Sequence, residues 1–146
     1  MGIFLWSNSI LFLEFMYLRF ITNYFDEYGK ESTGVFQCLG YLIRSESTYD
    51  YDKEKLEEIR VWFNTYLEKP DRFNKQSRKN GKNVALSWFK NTAVDHIRNM
   101  YDLVSIFENY DFRIQVIKKE KIGRIIFQDE YQAVAIPYNK QKSKVK

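Results

Sequence analysis

The stretch VALSWFKNTAVDHIRNMYDLVSIFENYDFRIQVI, Val84 to Ile117, decides the fold class, because its hydrophobic period changes from strand to helix and back. Val84 to Phe89 is an apolar run of strand length and reads as a central strand covered on both faces. From Thr92 the period becomes helical. Thr92 and Asp95 form a variant of the capping box, and Ala93, Ile97, Met100, Tyr101, Val104 and Phe107 share one face. Asn109 or Asp111 can stop this helix. Phe112, Ile114 and Val116 then alternate with Arg113, Gln115 and Ile117, the pattern of a strand with one strongly apolar face. A helical connector of about twenty residues is long enough for a right-handed crossover between parallel strands.

Toward the C-terminus, a charged turn from Lys118 to Lys121 precedes two strand-like segments, Gly123 to Gln128 and Tyr131 to Ile136, separated by Asp129 and Glu130. They predict a hairpin whose loop exceeds two residues, since no Gly or Asn stands where a tight turn needs one. Pro137 ends the last strand, and Asn139 to Lys146 is a basic tail. Toward the N-terminus, Tyr17 to Phe25 is apolar and aromatic, a short run that fits either strand or helix and is read as a strand, and Asp26 to Ser32 with Gly29 reads as a loop. Thr33 is the expected N-cap of a helix to Arg44, with Val35, Phe36, Leu39, Leu42 and Ile43 on one face. A second helix should run from Asp50 to Glu68 and bury Leu56, Ile59, Trp62, Phe63, Tyr66 and Leu67 before Pro70 stops it. Between Lys69 and Asn83 only Phe73 suits a core, so a long loop is expected.

These elements predict an α+β fold in one domain, residues 16–138. Two helices in the N-terminal half precede a strand-helix-strand-strand-strand unit that forms a mixed sheet. A chain of 146 residues suits one core, and 12 Phe and 11 Tyr can fill it from few positions. A single cysteine, Cys38, excludes an internal disulfide and points to a reducing, cytoplasmic setting. Ile3 to Phe15 is apolar, but no Lys or Arg precedes it and Ser7, Asn8, Ser9 and Glu14 interrupt it, so neither a signal peptide nor a membrane span is expected. Residues 1–15 read as an extension before Met16.

Thr33-Gly34-Val35-Phe36, Trp62-Phe63 with Pro70 and Arg72-Phe73, Ser87-Trp88-Phe89-Lys90 with Ala93 and His96-Ile97, and Asp129-Glu130-Tyr131-Gln132 through Val134-Ala135 to Pro137 form a recurring pattern. On these residues the chain resembles a family of short, uncharacterised bacterial proteins, from about Met16 to Pro137. The resemblance implies a bacterial or phage source and assigns no site residue.

Candidate chemistry is sparse. Cys38 and His96 are the only Cys and His, so a nucleophilic dyad needs both. Yet Cys38 lies on an apolar helix face, where a small inert thiol is the ordinary outcome, and His96 borders an apolar stripe as a structural histidine or a weak catalytic candidate. One His without paired Cys gives no metal site, and no cofactor is implied. Asp129 and Glu130 at a hairpin tip read as solvated charges. Gly29-Lys30-Glu31-Ser32-Thr33-Gly34 lacks the first glycine and the Lys-Ser/Thr pair of a phosphate loop. Lys30, Ser32, Thr33 and Gly34 remain a candidate anion site at a helix start.

Charge placement is the stronger lead, since Lys69, Arg72, Lys75, Arg78, Lys79, Lys82 and Lys90 are opposed between positions 69 and 90 only by Asp71. With Phe73 and Trp88 nearby, such a segment can hold a nucleic-acid backbone and stack a base. The net charge of +4 and pI near 9.0 permit this without requiring it. The expected function is a non-enzymatic binding module for a protein or nucleic-acid partner. The alternatives are a small enzyme acting on a phosphate-bearing substrate through His96, and membrane association through residues 1–15.

Overall fold

Strand β1 (Tyr17–Phe25) alternates as a half-buried strand must, with Leu18, Phe20, Thr22 and Tyr24 inward and Asn23 and Phe25 in solvent. The structure, a computed structural model, describes residues 16–69, 78–79, 82–83 and 85–138. After β1 come β2 (Glu31–Gly34), α1 (Val35–Arg44), α2 (Asp50–Tyr66), the two-residue strands β3 (Arg78–Lys79) and β4 (Lys82–Asn83), and β5 (Leu86–Lys90). Helix α3 (Val94–Glu108), β6 (Ile114–Lys119), β7 (Arg124–Gln128) and β8 (Gln132–Ile136) complete the order. The fold class is α+β: three helices and a six-stranded sheet of order β2-β1-β5-β8-β7, in which β6 also pairs with β1, plus the β3-β4 pair. Residues 1–15 and the tail from 139 lie outside the described residues.

Two compact units divide the chain, and their segments interleave. One comprises residues 1–19, 69–93 and 118–146, the other 20–68 and 94–117. In the second, α1 and α3 bury Cys38, Leu39, Leu42, Met100, Leu103 and Phe107, and α2 adds Leu56, Ile59 and Phe63. Each such aliphatic or aromatic side chain stabilises by roughly 1.5–3 kcal/mol relative to an exposed one. Edge-on ring contacts join Phe20 to Tyr101 and Tyr24 to Phe112, while Thr22 Oγ1 donates to the Arg113 carbonyl. In the first unit, β8 lies between β5 and β7 in antiparallel register, and Gln132, Ala133, Val134 and Ala135 are all buried. Residues at successive positions point to opposite faces, so β8 is covered on both.

Several expectations change. Strands β1 and β2 precede the helices, so the order is strand-first rather than helix-first. Glu31–Gly34 is a strand where a loop and a Thr33 cap were expected: α1 begins at Val35, and its N-cap is Gly34 with no side-chain cap bond. The reason is local hydrogen bonding that hydropathy does not encode. Asp26 Oδ1 accepts the Tyr28 and Lys30 N–H groups, the Gly29 N–H bonds to the Asp26 carbonyl, and Gly29 takes the left-handed φ of +76°. That turn sends a polar segment back along β1 as an edge strand.

The mixed sheet with a parallel β5-to-β6 crossover is also not formed. Every pairing of defined register is antiparallel, and β5 has β1 and β8 as its neighbours. Strand β1, seventy residues away in sequence, supplied the partner that a local reading of Val84 to Ile117 could not contain. Helix α3 is rotated from its expected face: His96 and Leu103 are buried with Met100 and Phe107, whereas Tyr101 is 43% exposed. The β7-β8 hairpin does match expectation. Its loop is closed by Asp129, whose Oδ1 accepts the Tyr131 and Gln132 N–H groups while Oδ2 takes the Gln132 amide, so Asp129 does structural work rather than facing solvent idly.

Candidate functional site

The segment expected to be a long loop contains a small hairpin. Arg78 pairs with Asn83 and Lys79 with Lys82, antiparallel, and the intervening dipeptide is Asn80-Gly81. Asn-Gly between paired positions is the strongest short-range hairpin signal, and it was legible in the sequence. Arg72 and Lys75 lie outside the described residues, as does Phe73. Lys90 ends β5, half-buried, opposite Tyr17, and its N–H bonds to the Tyr131 carbonyl. Trp88 is 5% exposed and belongs to the core, which removes it as a stacking surface for a base.

Charge is divided unequally between the two units. Among the described residues, the first holds ten Lys and Arg against three Asp and Glu, a net of +7; the second holds seven against fourteen, a net of −7. These two cancel, and the +4 of the whole chain comes from residues outside the described ones. The small overall charge therefore conceals two strong, opposite ones.

Ser32, Thr33 and Gly34 lie in edge strand β2 rather than on a helix, with Lys30 just before it. Lys30 and Thr33 are exposed and Ser32 is half-buried, its hydroxyl 3.1 Å from Gln37 Oε1. Gln37 folds back over the start of α1, where a Cβ on Gly34 would meet its amide. The position an anion would take at this helix start is thus occupied by a side chain of the same helix.

His96 is 3% exposed, with Nε2 2.9 Å from the Tyr66 carbonyl and its ring 4.7 Å from that of Trp62, edge-on. An open depression of about 610 Å³ is lined by Ile21, Thr22, Asn23, Asp111, Arg113, Ile114, Gln115 and Val116, with neither His96, Lys30 nor Thr33 among them. Cys38 is fully buried, and desolvation pushes its thiol up to about 12, so it stays protonated. Among the described residues no group of three or more His, Cys, Asp and Glu side chains is placed to hold a metal ion, and no helix is long and apolar enough to cross a membrane.

A polar cluster that sequence reasoning missed ties α2 to the end of α3. Tyr110 donates its hydroxyl to Asp52 Oδ2 and accepts the Tyr49 N–H at 3.1 Å. Asp52 is buried in the first turn of α2, whose N-cap Tyr49 makes no side-chain cap bond. Burial first, then donation to Asp52, raises the Tyr110 hydroxyl above its ordinary value. The alternation Tyr49-Asp50-Tyr51-Asp52 was the available signal. Comparison with protein-family models, curated proteins and solved structures finds no match.

Proposed function

We propose that this protein is a non-enzymatic binding module that holds a nucleic-acid backbone through its basic unit. The observation that carries this reading is the net charge of +7 on the described residues of that unit, with Arg78, Lys79 and Lys82 set in one hairpin. Basic residues that neutralise phosphates release condensed counterions, so affinity comes largely from this term and falls steeply with salt. Sequence selectivity is not required of such a site. The enzyme alternative is less well supported, because His96 is packed against Trp62 and engaged with the Tyr66 carbonyl rather than open to a substrate.

The test is fluorescence anisotropy of labelled single- and double-stranded DNA and RNA across a salt series. Log affinity should fall linearly with log salt. The triple substitution Arg78→Ala, Lys79→Ala and Lys82→Ala should weaken binding to all sequences alike and reduce the slope by about 2–3. Binding that ignores salt, or a triple variant indistinguishable from the parent, refutes the assignment.

A further inference from the structure

We infer that the acidic unit carries a recognition platform for the arginine side chain of a basic peptide, built from Tyr49, Tyr51 and Tyr110. The rings of Tyr49 and Tyr51 are stacked, with centroids 5.6 Å apart and planes within 9°, yet the two residues remain 64% and 69% exposed. Aromatic residues this open contribute little to the core. Their faces carry the negative side of the ring quadrupole, which attracts a cation placed over them.

The main chain that carries Tyr49 is fixed at the start of α2. Tyr49 gives its N–H to the Tyr110 hydroxyl and its carbonyl to the Asp52 and Lys53 N–H groups, and the Tyr110 ring lies 6.5 Å from that of Tyr49. Backbone ordered beforehand adds no ordering cost of its own when a ligand arrives.

Charge selects the occupant. The segments 46–54 and 108–111, which Tyr110 joins, contain Glu46, Asp50, Asp52, Glu54, Glu108 and Asp111 against the single base Lys53. All six acids except Asp52 are exposed, and the unit as a whole is at −7. A phosphate backbone is repelled from such a surface, and a neutral ring gains nothing from its charge. A guanidinium gains from both features. It is planar, weakly hydrated and able to stack on an aromatic face while bonding to carboxylates, which a compact ammonium does less well. This assignment is independent of nucleic-acid binding by the basic unit.

The experiment titrates labelled octa-arginine and octa-lysine peptides into the full-length protein by fluorescence anisotropy, with circular dichroism on each variant. Octa-arginine should bind more tightly than octa-lysine. The double variant Tyr49→Ala/Tyr51→Ala should lose affinity on the order of 10-fold, whereas Tyr49→Phe/Tyr51→Phe, which keeps both ring faces, should stay within about 2-fold of the parent. Equal affinity for the two peptides, an Ala variant that binds as well as the parent, or a Phe variant as weak as the Ala one overturns the inference. So does sedimentation showing self-association that depends on Tyr49 and Tyr51, or oligothymidine binding lost in the Ala variant, since each assigns the platform to another occupant.

Discussion

Replacing Tyr110 with Phe removes one oxygen and nothing else, yet that oxygen serves two partners. Asp52 loses a hydrogen bond from the phenol, and the Tyr49 N–H loses its acceptor. Asp52 is 7% exposed, so water cannot fully replace the lost donor. A hydrogen bond to a charged group contributes roughly 1.5–3 kcal/mol, and the Tyr49 N–H can turn to solvent at small cost. Asp52 keeps the favourable field at the start of α2, which limits the damage. The expected loss is about 2 kcal/mol, read as a fall in Tm of roughly 4–8 °C for a chain of this size. Urea denaturation at neutral pH should show a lower midpoint with an unchanged m-value.

The pH dependence gives a second readout of the same bond. Because the folded Tyr110 hydroxyl titrates above its ordinary value, the unfolded chain releases this proton first as pH rises. Its contribution is therefore fully present below about pH 10 and is lost as pH climbs through the folded value. Tyr110→Phe should flatten that alkaline loss. A double-mutant cycle with Asp52→Asn isolates the pair, and the two single changes should be strongly non-additive. A variant within about 0.5 kcal/mol of the parent, or fully additive single changes, refutes the reasoning.

Three further outcomes follow from the geometry. Native Cys38 should resist iodoacetamide at pH 8, where a thiol titrating near 12 has a thiolate fraction on the order of 10⁻⁴, and should react only as fast as the protein opens; rapid native labelling contradicts its burial. Gly123→Ala should cost about 2 kcal/mol or more by urea denaturation, because Gly123 has φ of +120° and a Cβ there would strike the Ile136 carbonyl. His96→Ala should cost roughly 2–4 kcal/mol through the cavity left beside Trp62 and Phe63, with nucleic-acid affinity of the folded protein unchanged; lost binding at unaltered stability would instead make His96 functional.

Legibility differed by element. Helices α1 and α2 matched the pattern at Leu39, Leu42, Leu56, Ile59 and Phe63, which repeat at helical spacing and are buried, whereas Phe36 and Tyr66, expected on the same faces, are 41% and 56% exposed. Strands β7 and β8 matched because Pro137 and the Asp129-Glu130 break bound them. The face of α3 did not match. Hydropathy ranks His96 below Ile97, but a histidine whose ring packs on Trp62 and whose Nε2 meets the Tyr66 carbonyl can be buried at little cost. Polar strand β2 was missed for the same kind of reason, since its pairing depends on the Asp26 and Gly29 turn rather than on apolar alternation.

By itself the sequence determined where the chain is helical, where most of its strands run, that Cys38 has no disulfide partner in the chain, and that bases crowd the region 69–90. Only the tertiary structure decided which segments share a unit. It placed β1 against β5, rotated α3, joined Tyr110 to Asp52 and Tyr49, and divided the charges of the described residues into +7 and −7. The physical reason is range. Hydrophobic period and turn chemistry act over a few residues and are written locally, whereas pairing, burial and field depend on residues far apart in the chain that only folding brings together.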